Sequence, residues 1–168
     1  MEFKKSAGAV VFREVTLGSR GSNPQRGLDP IKSFEYLLLA YPRIEKPDEI
    51  IWGFPKGQVE LGESDIETVK REIAEETGLS DFSIVEGFKE KEKYLFKREG
   101  NFINKTVVYF LAQNTGGRVK VSFEHLGFEW LNFEDALKKL SFKNSREILE
   151  KAEKFLNGQE ISAQPRLI

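Results

Sequence analysis

The feature that most constrains this chain is a helix whose two ends are both marked in the sequence. Ser64 and Glu67 form a Ser-x-x-Glu capping box, a pattern that satisfies free backbone N–H groups at a helix N-terminus. Gly78 follows the last residue with helical spacing, and glycine is the usual residue where a helix ends in the left-handed conformation. The sequence therefore predicts a helix from about Asp65 to Thr77.

The predicted helix carries an acidic face beside its apolar stripe. At about 100° per residue the stripe consists of Ile66, Val69 and Ile73. Glu72, Glu75 and Glu76 share the neighbouring arc, where carboxylates raise one another's pKa values or destabilise the helix unless a cation lies among them. Arg71 can pair with Glu75 or reach back to Glu63 and hold the preceding loop. Two interpretations remain open, a solvated charged face and a cation-binding face.

Composition limits the kind of cation that this face can bind. The 168 residues include no Cys and one His, which excludes thiolate nucleophiles, disulfides and zinc sites of the Cys/His type. Oxygen ligands suit Mg²⁺ or Mn²⁺. The 26 Lys and Arg residues and 27 Asp and Glu residues give a net charge of −1, so we expect no general nucleic-acid binding.

The length and the apolar content predict one domain with a substantial core. Predicted strands lie near residues 7–12, 34–40, 50–54, 83–88, 105–111, 118–123 and 128–131. Apolar spacing predicts two further helices over 133–140 and 145–156. We predict that the domain spans 1–156, that the Gly- and Pro-rich residues 15–32 form a flexible insertion loop, and that 157–168 form a tail.

The sequence shows neither an export signal nor a membrane span. The apolar run near the N-terminus is closed by Arg13 and Glu14, well short of a signal-peptide core with its cleavage site. No segment approaches the roughly 20 apolar residues of a membrane helix. We therefore expect a cytoplasmic protein without a membrane partner, and the sequence leaves its oligomeric state open.

The acidic helix and the loop before it resemble the Nudix box. Gly57 is followed by five residues, Glu63, seven residues and then Arg-Glu-Ile-Ala-Glu-Glu-Thr-Gly-Leu over 71–79. The resemblance implies a Nudix hydrolase, an α/β protein whose fold is an α/β/α sandwich with a mixed β-sheet. It also implies cleavage of a nucleoside diphosphate linked to another moiety, with divalent metal on the box helix.

The resemblance assigns roles to the oxygen-bearing residues. Glu75 and Glu76 match direct metal ligands, and Glu72 matches a ligand or a base that orients the water. Glu124, outside the box, matches an additional acidic ligand or base, with a buried-edge Glu as the alternative. The implied catalytic residues are Arg71, Glu72, Glu75 and Glu124, and the implied metal ligands are the Gly57 carbonyl, Glu72, Glu75, Glu76 and Glu124. Clustered Glu residues holding Mg²⁺ would support phosphoanhydride hydrolysis without His.

Segments outside the box resemble the asymmetrically cleaving diadenosine tetraphosphate hydrolases of the same family. These segments are WGFPKG at 52–57, EGFK at 86–89, KTVVYFLA at 105–112 and SFEH at 122–125. The resemblance implies hydrolysis of diadenosine tetraphosphate to ATP and AMP by water attack on phosphorus, with Mg²⁺ as cofactor and Mn²⁺ as a substitute. Alternatives are a pyrophosphohydrolase acting on RNA 5′ ends or another nucleoside diphosphate derivative, and a non-catalytic nucleotide-binding module. Gln58 stands where many relatives have His.

Five positions are candidates for substrate contact. Lys56, Tyr94 and Lys105 match family positions near the phosphate chain, and two cations with a phenol suit a polyanion. Ordinary strand and loop surface is the alternative for all three. Phe128 and Phe142 could stack on adenine, or they could belong to the core of a chain that contains 14 Phe residues.

Overall fold

The computed structural model describes residues 1–17 and 31–160 of the chain. The strands are β1 (Glu2–Leu17), β2 (Ile31–Arg43), β3 (Lys46–Gly53), β4 (Lys56–Gln58), β5 (Phe82–Ile84), β6 (Glu90–Arg98), β7 (Asn101–Asn114) and β8 (Gly127–Asn132). The helices are α1 (Asp65–Thr77), α2 (Phe133–Lys139) and α3 (Lys143–Glu160). In this part of the chain, no helix is both long and apolar enough to cross a membrane.

The eight strands form one mixed sheet. Its main path runs in the order β3-β2-β1-β7-β5, and β4, β6 and β8 pair with β1, β7 and β2 respectively. The strands β1 and β7 run parallel, with Lys4 opposite Lys105 and Gly8 opposite Tyr109. The other pairs are antiparallel. The central strands β1 and β7 thus bring N-terminal and C-terminal halves of the chain together.

Side chains alternate between the two faces along each strand, and both faces of this sheet carry apolar side chains. Helices cover both faces and bury these side chains. One face packs against α2 and α3 and includes Val10, Phe12, Tyr36, Leu38, Tyr109 and Leu111. The other face packs against α1 and includes Ala9, Val11, Leu37, Leu39, Val108 and Phe110. The predicted α/β/α sandwich with a mixed sheet is confirmed.

The helix α1 has the predicted bounds and the predicted caps. The Ser64 hydroxyl accepts a hydrogen bond from the Glu67 N–H at 3.1 Å, and the Glu67 carboxylate accepts one from the Ser64 N–H at 2.7 Å. Gly78 has a φ of 69° and donates its N–H to the Ala74 carbonyl, which ends the helix. Local sequence alone therefore determines where this helix starts and stops.

The prediction of a strand over 118–123 is wrong. The Lys120 N–H donates to the Thr77 carbonyl at 2.8 Å, and the Ser122 N–H donates to the Glu76 carbonyl at 3.1 Å. Backbone N–H groups of this segment therefore form hydrogen bonds with carbonyl groups at the C-terminal end of α1, which lack partners within the helix. The predicted strand at 83–88 is correct only up to Ile84, and the chain turns at Gly87, which has a φ of 97°.

Two predicted boundaries also differ. The strands β1 and β2 extend into the predicted loop over 15–32, since Val15 pairs with Ser33 and Thr16 pairs with Lys32. The remaining loop residues, 18–30, lie outside the described residues. The helix α3 continues to Glu160, past the predicted start of the tail at 157, and residues 161–168 lie outside the described part.

Candidate active site

The acidic face of α1 lies against β4. Val69 and Ile73 are fully buried against the sheet, which fixes the rotation of the helix. With this rotation, a Glu76 carboxylate oxygen accepts a hydrogen bond from the Lys56 N–H at 3.0 Å. The Glu72 carboxylate lies so close to Gly57 that a Cβ atom at that position would overlap it. The helix and β4 can approach this closely only because residue 57 has no side chain.

Arg71 binds both of the partners that the sequence predicted as alternatives, Glu63 in the preceding loop and Glu75 on α1. Its Nε and Nη2 atoms donate to the two Glu63 carboxylate oxygens at 2.7 and 3.0 Å. Its Nη1 atom donates to Glu72 at 2.7 Å and to Glu75 at 3.3 Å. Nη2 also donates to the Gln58 carbonyl at 3.0 Å. One guanidinium thus ties the loop before α1 to the acidic face of the helix.

Glu63 is the most strongly held partner in this arrangement. Besides the bidentate contact with Arg71, it accepts a hydrogen bond from the Thr68 hydroxyl at 2.6 Å. Hydrogen bonds from Arg71 first and Thr68 second lower the pKa of Glu63 to about 2. Glu63 therefore remains ionised at neutral pH and keeps the loop attached to α1.

Glu72 and Glu76 form an electrostatically crowded pair. Their side chains are only 12% and 13% exposed. Burial, followed by repulsion from Glu72, raises the pKa of Glu76 to about 8, and Glu124 adds to the repulsion. Burial also raises the pKa of Glu72, and the charges of Glu75 and Glu124 act in the same direction. Glu124 therefore belongs to the same electrostatic site although it lies outside α1.

His125 is a further neighbour of this site. Its Nε2 atom lies 3.9 Å from a Glu76 carboxylate oxygen, and its Nδ1 atom lies 2.9 Å from the Ser122 hydroxyl. Its ring meets that of Tyr41 edge to face, with 6.1 Å between the centroids. Burial lowers the pKa of His125, which favours a neutral imidazole beside Glu76.

The donor set at this site fits a hard divalent cation. Buried carboxylates with raised pKa values are the groups that such a cation would stabilise in their ionised form. Within the described residues, however, no three His, Asp or Glu side chains are already gathered as a set of metal ligands. Glu72 and Glu75 are turned towards Arg71, and Glu75 is 60% exposed. Binding a cation would therefore require these side chains to reorient.

A second part of the site is a cavity of about 360 Å³ beside β4, on the side of α3. Its wall includes Lys56, Glu92, Tyr94, Phe142 and residues 143–145. Three sequence-predicted contact residues, Lys56, Tyr94 and Phe142, thus come together in one cavity. Lys105 lies next to it, with its ammonium nitrogen 5.9 Å from the centre of the Tyr94 ring.

Lys56 connects the two parts of the site. Its backbone N–H contacts Glu76, whereas its side chain lines the cavity. A Cβ atom on Gly8, which pairs with Lys56 across β1 and β4, would lie only 2.6 Å from the Lys56 Cβ. Glycine at position 8 therefore leaves the space that the Lys56 side chain occupies. Burial lowers the pKa of both Lys56 and Lys105.

Phe128 and Phe142 occupy different places. Both rings are substantially exposed, at 39% and 45%, so neither belongs to the core. Phe142 lines the cavity, but Phe128 lies on β8 opposite Leu39 and is not among the residues that line it. The structure therefore separates two aromatic residues that the sequence grouped together.

Sequence reasoning missed Glu92 and Tyr41. Glu92 lies on β6, a strand in which half-buried residues alternate with exposed ones, and the alternation of Tyr94 and Phe96 is the sequence signal that could have indicated this strand. Tyr41 lies near the end of β2, and its hydroxyl would be 3.3 Å from a Cβ on Gly53. Burial first, then the charges of Tyr94, Glu76 and Glu92, raise the pKa of Tyr41 to about 12.

Comparisons with known proteins found a matching family, similar sequences and a similar fold. The NUDIX domain profile matches residues 32–152. A Mus musculus protein named bis(5′-nucleosyl)-tetraphosphatase [asymmetrical] is 37% identical over 157 residues, which cover 90% of this chain and 95% of that protein. A Caenorhabditis elegans protein of the same name is 29% identical over 157 residues, 92% of this chain and 97% of that protein. A crystal structure of a C. elegans Ap4A hydrolase binary complex has a TM-score of 0.70 at 28% identity, and the match covers 92% of this chain and 98% of that one.

Proposed function

The chain belongs to the Nudix family of hydrolases, and we propose that it hydrolyses a dinucleoside polyphosphate. The substrate that we propose first is diadenosine tetraphosphate, which would be cleaved to ATP and AMP. One observation carries the proposal. Lys56 joins an acidic, oxygen-rich site on α1 to a cavity with cationic and aromatic walls. Such a pair of neighbouring sites suits a substrate that has a phosphate chain to be cleaved and a base to be held.

Nudix hydrolases use a divalent cation, and we propose Mg²⁺ for this chain, with Mn²⁺ as a substitute. The residues that would hold it are the Gly57 carbonyl, Glu72, Glu75, Glu76 and Glu124. When bound, such a cation supplies charge neutralisation at phosphate oxygens and lowers the pKa of water. Arg71 is then a positioning residue, because it holds Glu63 and Glu72 in place.

The water proton needs an acceptor, and we assign this role to a carboxylate of the same site. Glu72 and Glu124 are the two candidates, since each matches a family position for a base. Glu72 is held by Arg71 at 2.7 Å, whereas Glu124 is exposed in the turn before β8. In either case the carboxylate would accept the proton as the water oxygen attacks a terminal phosphorus of the four-phosphate chain.

The cavity would hold the rest of the substrate. We assign phosphate contacts to Lys56 and Lys105, because ammonium groups attract phosphate oxygens. Lys56 lines the cavity and adjoins Glu76 through its backbone N–H, and Lys105 lies beside Tyr94 of the cavity wall. We assign a further phosphate contact to the Tyr94 hydroxyl, and Phe142 offers aromatic surface for a base within the cavity. Phe128, exposed on β8, would contact the second nucleoside outside the cavity.

Product analysis tests this function directly. Purified protein is incubated with diadenosine tetraphosphate and Mg²⁺ in water enriched in ¹⁸O, with an EDTA control and salt-matched 5′-triphosphorylated RNA in parallel. We expect ATP and ¹⁸O-labelled AMP, with no products in EDTA. Cleavage of the RNA alone would overturn the substrate, and tight nucleotide binding without any product would indicate a binding module.

Variants of the acidic face test the residue roles. Glu75→Gln and Glu76→Gln should each lower kcat by about 10- to 100-fold or more, because each removes a charge that the proposed cation requires. Glu150→Gln on α3 is the matched control, since Glu150 is an exposed helical glutamate distant in sequence from the box. Circular dichroism verifies that each variant is folded. Turnover near that of the unmodified protein in both variants would refute the assigned metal role.

A further inference from the structure

Glu92 is an unexpected residue in a cavity proposed to bind a polyanion. Among the described residues that line the cavity, it is the single acidic one, and the same wall contains Lys56 and Lys143. Glu92 also lines a neighbouring cavity of about 220 Å³, together with Lys91, Lys93 and other residues. A carboxylate in such a place repels phosphate groups, so its presence needs a physical explanation.

The sheet register places Glu92 between two basic residues from different strands. Glu92 pairs with Val107 on β7, so Lys105 and Tyr109 are its diagonal neighbours on the same face of the sheet. The Tyr109 hydroxyl donates a hydrogen bond to Glu92 at 3.4 Å. Lys56 reaches the same region from β4, across Gly8. Strand pairing, and not a flexible loop, therefore determines the position of the carboxylate.

Glu92 acts on both lysines at a distance. Its charge raises the pKa of Lys56 and of Lys105, against the lowering that burial causes. Yet in the described part of the chain no Lys or Arg nitrogen lies within 4.0 Å of the Glu92 carboxylate. Burial raises the pKa of Glu92, and the charge of Lys56, the hydrogen bond from Tyr109 and the charge of Lys105 oppose this rise and favour the ionised carboxylate. Glu92 therefore lowers the positive electrostatic potential of the cavity, but among the described residues it forms no direct ion pair that a ligand would have to break.

We propose that Glu92 is a specificity-determining counter-charge, which competes with substrate phosphates for Lys56 and Lys105 and favours internal phosphates over terminal ones. An internal phosphate of a dinucleoside polyphosphate carries one negative charge, whereas the terminal phosphate of ATP carries up to two. The repulsion from Glu92 is therefore greater for a terminal phosphate, which both products ATP and AMP carry, than for any phosphate of the intact substrate. This inference rests on the proposed function in one respect, namely that the cavity binds a polyphosphate.

Glu92→Gln tests the proposal because it removes the charge but retains the size and an acceptor for Tyr109. Dissociation constants for AMP, ADP and ATP are measured by titration calorimetry in EDTA, where no metal masks the phosphate charges. We expect AMP, ADP and ATP, each of which ends in a terminal phosphate, to bind roughly three- to tenfold more tightly to the variant. Diadenosine tetraphosphate, which has no terminal phosphate, is titrated in the same way. Diadenosine tetraphosphate should gain less than ATP.

Glu90→Gln is the matched control, because Glu90 lies on the same strand but pairs with Lys151 at 3.1 Å and does not line the cavity. It should leave all three dissociation constants unchanged. A second test repeats Glu92→Gln in a Lys105→Met background, where the gain for ATP should shrink because one of the two competing cations is absent.

Three results would overturn the proposal. Equal gains for ATP and diadenosine tetraphosphate would mean that Glu92 does not distinguish terminal from internal phosphates, and unchanged affinities would mean that Glu92 has no influence on the ligand. Weaker binding would mean that the carboxylate accepts hydrogen bonds from the nucleoside. The calorimetry involves no hydrolysis, so absence of diadenosine tetraphosphate cleavage would refute the proposed function without affecting this result.

Discussion

At the scale of single residues, the site depends as much on absent side chains as on present ones. Gly57 leaves room for the Glu72 carboxylate, and Gly8 leaves room for Lys56. The sequence predicted which carboxylates face the site, because helical spacing determines that directly. It offered Glu75 and Glu63 as alternative partners of Arg71, but it could not predict that Arg71 binds both and Glu72 as well, because side-chain rotamers depend on the shape of the preceding loop.

Gly57→Ala tests the closest approach in the site. The new methyl group would overlap the Glu72 carboxylate, so either Glu72 or β4 must move. We expect kcat to fall by about 100-fold, because a displacement of about 1 Å can have that effect. The free energy of unfolding should fall by about 1–3 kcal/mol, as in other overpacked sites.

The control for Gly57→Ala is Gly127→Ala on β8, where a Cβ atom would meet no other atom within 4 Å. Steady-state kinetics and urea unfolding are measured for both variants. Activity of Gly57→Ala within a few-fold of the unmodified protein would show that the position of Glu72 relative to β4 does not matter for turnover.

At the scale of secondary-structure elements, the sequence predicts an element correctly when residues close in sequence determine its bounds. The helix α1 was predicted correctly because Ser64 and Gly78 satisfy its ends within a few residues of sequence. The strand β6 was missed because its residues alternate in charge, and pairing with β7 defines it. Segment 118–123 has the alternation of a strand, but its N–H groups bind the end of α1. In both cases the prediction failed because contacts with a distant part of the chain determine the structure and override the local sequence pattern.

The attachment of the preceding loop to α1 should depend on pH through Glu63. The folded protein holds the pKa of Glu63 at about 2, below its ordinary value of 4.5. A carboxyl with a lowered pKa contributes stability above its ordinary pKa, and this contribution is lost as the pH falls through the folded value. Glu63→Gln should therefore lower stability at neutral pH, and the difference should disappear between about pH 4.5 and pH 2.

Urea unfolding at a series of pH values measures this difference between Glu63→Gln and the unmodified protein. The exposed helical change Glu150→Gln controls for general effects of removing a negative charge. A stability difference that persists unchanged to pH 2 would mean that Glu63 acts through its shape or packing and not through its ionised hydrogen bonds with Arg71 and Thr68.

At the scale of the whole molecule, the fold separates charges that nearly cancel in the composition. The net charge is −1, yet α1 presents an acidic site while β4, β7 and α3 place Lys56, Lys105 and Lys143 in or beside a neighbouring cavity. The fold class and the acidic site were predictable because the box lies within one short segment. The cavity was only partly predictable, because Lys56, Glu92 and Phe142 are far apart in sequence and meet only through strand register and helix packing.

Cation binding at the acidic site should be visible in the stability of the entire domain. A ligand that binds only the folded state adds about 2.7 kcal/mol at a concentration 100 times its Kd. For a domain of this size, about 2–4 °C per kcal/mol then gives a rise in Tm of roughly 5–10 °C. We expect Mg²⁺ to produce such a rise over EDTA in the unmodified protein, because the cation would relieve repulsion between Glu72 and Glu76.

Glu76→Gln distinguishes relief of repulsion at this site from a general salt effect. In EDTA the variant should be at least as stable as the unmodified protein, because the raised pKa of Glu76, about 8, shows that its place beside Glu72 disfavours a negative charge, which glutamine does not bring. On addition of Mg²⁺ its Tm should stay nearly constant, whereas Glu150→Gln should show the full rise. Differential scanning calorimetry at constant ionic strength measures both shifts. An equal rise in Tm for Glu76→Gln and for the unmodified protein would place the cation elsewhere, and the acidic face of α1 would then be a solvated surface.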